Sequence, residues 1–149
     1  MKLKLTVIAA ALALGTASFV QAADKADRKV HNADEERIES EFKAAKAKCD
    51  STQGNQKDIC VAEAKAKEKV AKAENDAKHA KDPSKEQAKV QRVRADAEYD
   101  VAKQRCEERK GNDKDVCMKE AMVQRDKARA SSARTERSAT TGSSRPEKR

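Results

Sequence analysis

The segment CDSTQGNQKDIC, residues 49–60, places two cysteines on either side of a Gly-Asn pair. The segment CEERKGNDKDVC, residues 106–117, has the same arrangement 57 positions later. When residues 42–65 are aligned with residues 99–122, ten of the 24 positions are identical, including both cysteines. Chance similarity between Ala/Lys-rich stretches would not align cysteine, Gly-Asn and Lys-Asp together, so the sequence predicts an internal duplication.

Each duplicated unit has the pattern of two helices joined by a tight turn. The arms are rich in Ala, Lys and Glu, which are strong helix formers. Gly54 and Gly111 can end one helix in the left-handed conformation, and Asn55 and Asn112 can cap the next helix. The sequence therefore predicts an all-α protein of two tandem helical hairpins, forming elongated helices or a thin bundle. The predicted helices span about residues 25–52, 56–81, 83–109 and 113–132.

The cysteines lie at matching distances from each predicted turn. Cys49 and Cys60 stand five residues to either side of the Gly-Asn pair, so a rise of about 1.5 Å per residue brings them to similar heights. Cys106 and Cys117 have the same placement. Four cysteines allow three connectivities, and the duplication favours the local bridges Cys49–Cys60 and Cys106–Cys117. Each bridge closes a short loop and should contribute about 3 kcal/mol.

Large apolar side chains are scarce outside the N-terminus. All four leucines lie in the first 14 residues, and residues 23–149 contain only 14 Val, Ile, Met, Phe and Tyr residues together. Alanine buries too little surface to support a thick globular core. The aromatic residues of this part, Phe42 and Tyr99, each lie seven residues before a cysteine and are expected to pack beneath the bridges.

The first 22 residues have the pattern of a secretory signal peptide. Lys2 and Lys4 precede a short apolar run, and a small-residue site follows with cleavage expected between Ala22 and Ala23. The apolar run is short for a membrane span, which favours cleavage over an uncleaved anchor. We therefore expect export to the bacterial periplasm, an oxidising compartment where disulfides persist, without membrane insertion after cleavage.

The predicted organisation follows from these features. Residues 1–22 are the signal peptide, 23–82 the first hairpin, 83–130 the second hairpin and 131–149 a basic, disordered tail. Asp82 and Pro83 fit either a kink in one long rod or a third turn, because Pro is tolerated at the first helical position.

The sequence predicts no catalytic residues, no cofactor and no metal site. Its carboxylates are scattered among lysines, and the cysteine spacing is not the C-x-x-C of redox proteins. His31 and His79 are interpreted as isolated, solvated residues. Nucleic-acid binding is not expected from an exported chain with 2% aromatic residues, although 40% of its residues are charged and its net charge is +8.

Residues 44–49 and 54–65 resemble small exported Ala/Lys-rich proteins of Gram-negative, chiefly betaproteobacterial, bacteria. Some of these uncharacterised proteins are described as TolA-like cell-envelope proteins. The resemblance implies no catalytic residues. It favours a periplasmic structural, interaction or stress-related module with an unknown envelope partner. The alternative is a binding module that holds anionic envelope polymers through Lys/Arg-rich surfaces. The oligomeric state is left open.

Overall fold

A computed structural model of the protein describes residues 17–142, with side chains described from residue 25 to residue 138. The four helices are α1 (Ala17–Lys48), α2 (Gly54–Lys78), α3 (Pro83–Cys106) and α4 (Gly111–Gly142). A single 3-10 turn, Cys49–Ser51, continues the end of α1. Strands are absent from the described part of the chain. The prediction of an all-α fold with two bridged hairpins is therefore confirmed.

Each bridged turn contains a glycine with a left-handed backbone. The φ angle is +56° at Gly54 and +54° at Gly111, a region that costs a residue with a Cβ about 1–2 kcal/mol. Both glycines begin the following helix rather than ending the preceding one. The predicted capping role of Asn55 is wrong, because Gln53 is the N-cap residue of α2. Asn55 Nδ2 instead donates to the carbonyl of Gln104 on α3, 3.0 Å away.

Asp82 and Pro83 form a full turn rather than a kink. The helix α2 ends at Lys78, and α3 begins at Pro83 and returns alongside α2. Proline fits the first helical position because its missing N–H would have no partner there. The backbone N–H of Lys85 donates to Asp82 Oδ1 at 3.1 Å, which caps the new helix.

The helices lie side by side in an open row. The helix α1 packs on α2, α2 on α3 and α3 on α4, and the α2–α3 contact is the most extensive. Over residues 17–142, α1 and α4 do not meet, so the row does not close into a four-helix bundle. Because successive helices are antiparallel, both bridged turns lie along the same edge of the row. Each inner helix keeps two faces open to solvent.

Alanine and bridged cysteine fill most of the thin interior. The buried apolar residues are Ile38, Cys49, Ala64, Ala73, Ala77, Ala88, Val90, Ala95, Ala97 and Cys106. One cluster joins Ala73 and Ala77 of α2 to Val90 and Val93 of α3. Small side chains let the helices approach closely but remove little apolar surface from water, so packing alone contributes modestly.

The helix α4 continues to Gly142. The sequence predicts disorder from Ser131 onward, and that prediction is wrong for residues 131–142. Ser132 is buried, and Glu136 forms an ion pair with Arg92 of α3. Several hydroxyl groups also donate to carbonyls three or four residues earlier. Packing on α3 therefore stabilises a Ser/Thr-rich segment. The rest of the predicted tail, after Gly142, lies outside the described residues.

Most of the predicted signal peptide, residues 1–16, also lies outside the described residues. Ala22 and Ala23, the expected cleavage site, belong to α1. Over residues 17–142, no helix combines the length and the apolar composition that crossing a membrane requires.

Candidate functional site

The two disulfides lie where the sequence predicts them. Cys49–Cys60 fastens the end of α1 to α2 with a Cα–Cα distance of 5.6 Å, and Cys106–Cys117 fastens α3 to α4 at 5.7 Å. Cys49 is fully buried, and Cys106 is 1% exposed. All four cysteines are bonded, so the chain presents no free thiol for nucleophilic chemistry.

Tyr99 lies on the side of α3 that faces α4, beside a cavity of about 290 Å³. The Arg125 guanidinium stands 4.5 Å from the ring centre, and Lys103 Nζ stands 5.7 Å from it. These distances are typical of cation–π contacts. The tyrosine is half-buried, as is Phe42. Tyr99 thus packs partly against charged side chains.

A larger groove of about 520 Å³ runs between α2 and α3 on one face of the row. Its floor consists of small apolar side chains: Ala66, Val70, Ala71, Ala97, Val101 and Ala102. Arg94 and Arg105 line the groove and pair with Glu74 and Glu63 of α2, each at an N–O distance of 2.7 Å. The ion pairs tie the two helices together at the two ends of the apolar floor.

The lining of this groove combines small apolar side chains with the charged side chains of lysine, arginine and glutamate. Lys67 and Glu98 line it without an ion-pair partner among the described residues. The groove thus offers an apolar strip flanked by one free charge of each sign.

A second cluster lies between α1 and α2, far from the bridged turn. His31 Nε2 is 3.2 Å from Asp76 Oδ1, and His79 Nδ1 is 2.6 Å from Asp27 Oδ1. The two imidazole rings meet edge to face with their centres 5.2 Å apart. Glu35, one turn after His31, places a carboxylate oxygen within 4.8 Å of ligand atoms of His31 and Asp76. The two helices thus bring five ionisable side chains together.

Asn75 fixes the helix pair beside this cluster. Its side chain is 2% exposed, and its Nδ2 donates to the carbonyl of His31 at 3.0 Å. Its Oδ1 is buried without a hydrogen-bond partner. The hydrogen bond to Asp76 raises the pKa of His31 above its ordinary value, because a carboxylate acceptor favours the charged imidazole.

The interpretation of His31 and His79 as isolated, solvated residues is wrong, because each contacts the other and an aspartate. The contacts join residues 45 and 52 positions apart, which no local pattern reveals. The hairpin register could have revealed them. His31 lies 18 residues before Cys49 and His79 lies 19 after Cys60, so the bridge sets both rings at the same height.

No protein-family model, curated protein or solved structure matches the chain. The resemblance to exported proteins with Cys-x10-Cys spacing therefore stays a prediction. The function is inferred from the groove between α2 and α3 and from the distribution of charge around it.

Proposed function

We propose that the protein is a non-enzymatic, periplasmic interaction module of the bacterial cell envelope. Export is supported by the signal-peptide pattern of residues 1–22 and by the two bridges, because disulfides persist in oxidising compartments and are rare in the cytosol. The module acts by receiving an amphipathic helix of an envelope protein in the groove between α2 and α3.

The apolar floor of this groove is the observation that carries the proposal. Two antiparallel helices with a floor of alanine and valine leave a site of the kind that a third helix fills with its apolar stripe. The groove extends over residues 94–105 of α3, about 16 Å or three helical turns. Small floor residues let the backbone of the incoming helix approach closely, since the side chains at a contact set the distance between helix axes.

The charges around the floor define the partner further. Lys67 on α2 and Glu98 on α3 are the free charges of opposite sign. A partner helix with an acidic residue on one side of its apolar stripe and a basic residue on the other complements both. Such pairs contribute more to specificity and orientation than to affinity.

The alternative, binding of anionic envelope polymers, has less support. Many basic side chains are neutralised within the row, as in the pairs Lys69–Asp100, Arg92–Glu136 and Arg129–Asp96. A polymer-binding surface needs a field of one sign, whereas these faces alternate in sign over short distances.

Site-specific photo-crosslinking in intact cells tests the proposal. A photo-reactive amino acid replaces Ala71 in the groove or, as a matched control, the exposed Ala130 on α4. We expect one envelope protein to crosslink from position 71 and not from position 130. A peptide of the crosslinked segment should then bind the purified, bridged protein in fluorescence anisotropy.

The matched substitutions Ala71→Glu and Ala130→Glu complete the test. A charge on the apolar floor should weaken peptide binding at least about tenfold, since it buries an unpaired carboxylate, whereas the same change at Ala130 should leave the affinity within about twofold. Crosslinks only between copies of this chain, no adduct from position 71, or equal loss in both variants would overturn the proposal.

A further inference from the structure

We propose that His31, Glu35 and Asp76 form a binding site for a divalent transition-metal ion, with Zn²⁺ as the reference ion. The site lies between α1 and α2 and is separate from the groove between α2 and α3. A bound ion would link α1 to α2 at the end of the hairpin that has no disulfide. Neither the groove nor the disulfides provide such a ligand-dependent link.

The backbone places the three side chains on facing surfaces. His31 and Glu35 are four residues apart on α1, so they share one face of that helix. Asp76 approaches from α2, with its Oδ1 3.2 Å from His31 Nε2. The ligand atoms of all three lie within 4.8 Å of one another. Around a tetrahedral Zn²⁺ at about 2.0–2.2 Å, ligand atoms stand about 3.4 Å apart, so the three ligand atoms would have to approach one another by up to about 1.4 Å on binding.

The donor set matches the chemistry of zinc. One imidazole nitrogen and two carboxylates are ligands that Zn²⁺ accepts in proteins, and three protein ligands leave a fourth position for water. Two carboxylates also balance the charge of the ion. Lys89 Nζ lies 3.8 Å from Asp76 Oδ2 but 3.2 Å from Glu86, so it can stay paired with Glu86 when Asp76 turns toward a metal.

Two neighbouring residues, Asn75 and His79, restrain the position of His31. The buried Asn75 holds the backbone of His31 against α2, while its own Oδ1 lacks a donor. This contact keeps His31 close to Asp76, the residue that follows Asn75. The His79 ring, 5.2 Å from that of His31, limits the rotation of His31. The His31 and Asp76 side chains are 25% and 43% exposed, so an ion can reach them.

Isothermal titration of the metal-free, bridged protein with ZnCl₂ tests the site. We expect one Zn²⁺ per chain, and at least about tenfold weaker binding in His31→Gln and Glu35→Gln. The exposed neighbour Glu36 gives a matched control, because Glu36→Gln changes the same charge on the same helix outside the site. Its affinity should stay within twofold of the parent protein. Lys89→Met should bind Zn²⁺ at least as tightly as the parent, since it removes a competing cation from Asp76.

A measurement on the parent protein keeps the test independent of the variants' folding. The chain has two histidines, so its NMR spectrum contains two sets of ring signals, which His79→Gln assigns. The His31 signals should move and saturate at one equivalent of Zn²⁺, and the thermal midpoint should rise, because an ion that binds only the folded state stabilises it. Unmoved His31 signals, or Zn²⁺ binding equally strong in His31→Gln and Glu35→Gln, would overturn the proposal.

Discussion

Removal of one disulfide should destabilise the protein by a large part of its total stability. The double variant Cys49→Ala/Cys60→Ala removes the bridge between α1 and α2, and Cys106→Ala/Cys117→Ala removes the bridge between α3 and α4. Alanine avoids placing a hydroxyl at the buried positions, where Cys49 is fully buried and Cys106 is 1% exposed.

The magnitude follows from the size of the closed loops. Both bridges join residues 11 positions apart, and the loop-entropy relation gives about 2.8 kcal/mol for such a loop at 25 °C. Each double variant should therefore lose about 3 kcal/mol of unfolding free energy. Natural domains have about 5–15 kcal/mol in total, so loss of both bridges would bring this thin, alanine-packed row close to unfolding.

Urea unfolding followed by circular dichroism at 222 nm measures the effect, with a lower thermal midpoint by about 10 °C as a second readout. The two double variants act as controls for each other, because their loops have equal length and should lose similar free energies. Reduction of the parent protein with dithiothreitol should give the same loss as the variant that lacks both bridges. Reduction opens the same loops while keeping cysteine at those positions.

A loss below about 1 kcal/mol in each double variant would refute this reasoning. The alanine interfaces would then be sufficient by themselves, and the bridges would have a role other than stability. A strongly unequal loss would show that strain or packing at one bridge, rather than loop closure, dominates its contribution.

Substitutions with smaller expected effects test the turns and the contacts beside them. Gly54→Ala and Gly111→Ala should each lower the free energy of unfolding by about 1–2 kcal/mol, measured in urea, because φ is positive at both positions. No atom lies within 4 Å of an added Cβ, so the cost comes from the backbone and not from a clash. A stabilised variant would contradict this. Asp82→Ala should lower the free energy of unfolding by about 1 kcal/mol, because α3 loses its N-cap. Asp82→Asn should keep most of the stability of the parent protein, because asparagine can also cap a helix. Asp50 should titrate below the usual Asp pKa, because Lys57 donates a hydrogen bond to its carboxylate. The Asp50–Lys57 pair then stabilises the folded protein above the unfolded-state pKa of Asp50, and this stabilisation is lost as pH falls through the lowered folded-state pKa. NMR titration should show a higher Asp50 pKa in Lys57→Met than in the parent protein.

The hairpins could be predicted from sequence because their determinants are local. Helix-forming arms, a glycine at each turn and cysteines at equal distances from it specify the same hairpin independently. Capping could not be assigned as securely, since Asn55 can donate to α3 as readily as it can cap α2. That choice depends on Gln104, a residue 49 positions away.

The turn at Asp82 and the helical extension of α4 depend on tertiary contacts. Pro83 suits a kink as well as a new helix, and the turn is favoured because α3 then buries Val90 against Ala73 and Ala77 of α2. The composition of residues 131–138 is typical of disorder, yet packing on α3 keeps these residues helical. The same dependence hid the histidine cluster, whose members meet only after α1 and α2 have paired.

The packing of the row also explains where a link between helices has most effect. The α2–α3 contact has no bridge and is the most extensive, so it can hold the groove by packing and ion pairs alone. The α1–α2 contact is the least extensive of the three. It is fastened at one end by Cys49–Cys60 and, 18 residues earlier on α1, by the contacts of His31. That separation is about 27 Å along the helix, too far for the bridge to hold both ends. A metal ion at His31 would therefore add a link at the end of the α1–α2 contact that has no disulfide, while the groove between α2 and α3 keeps its shape.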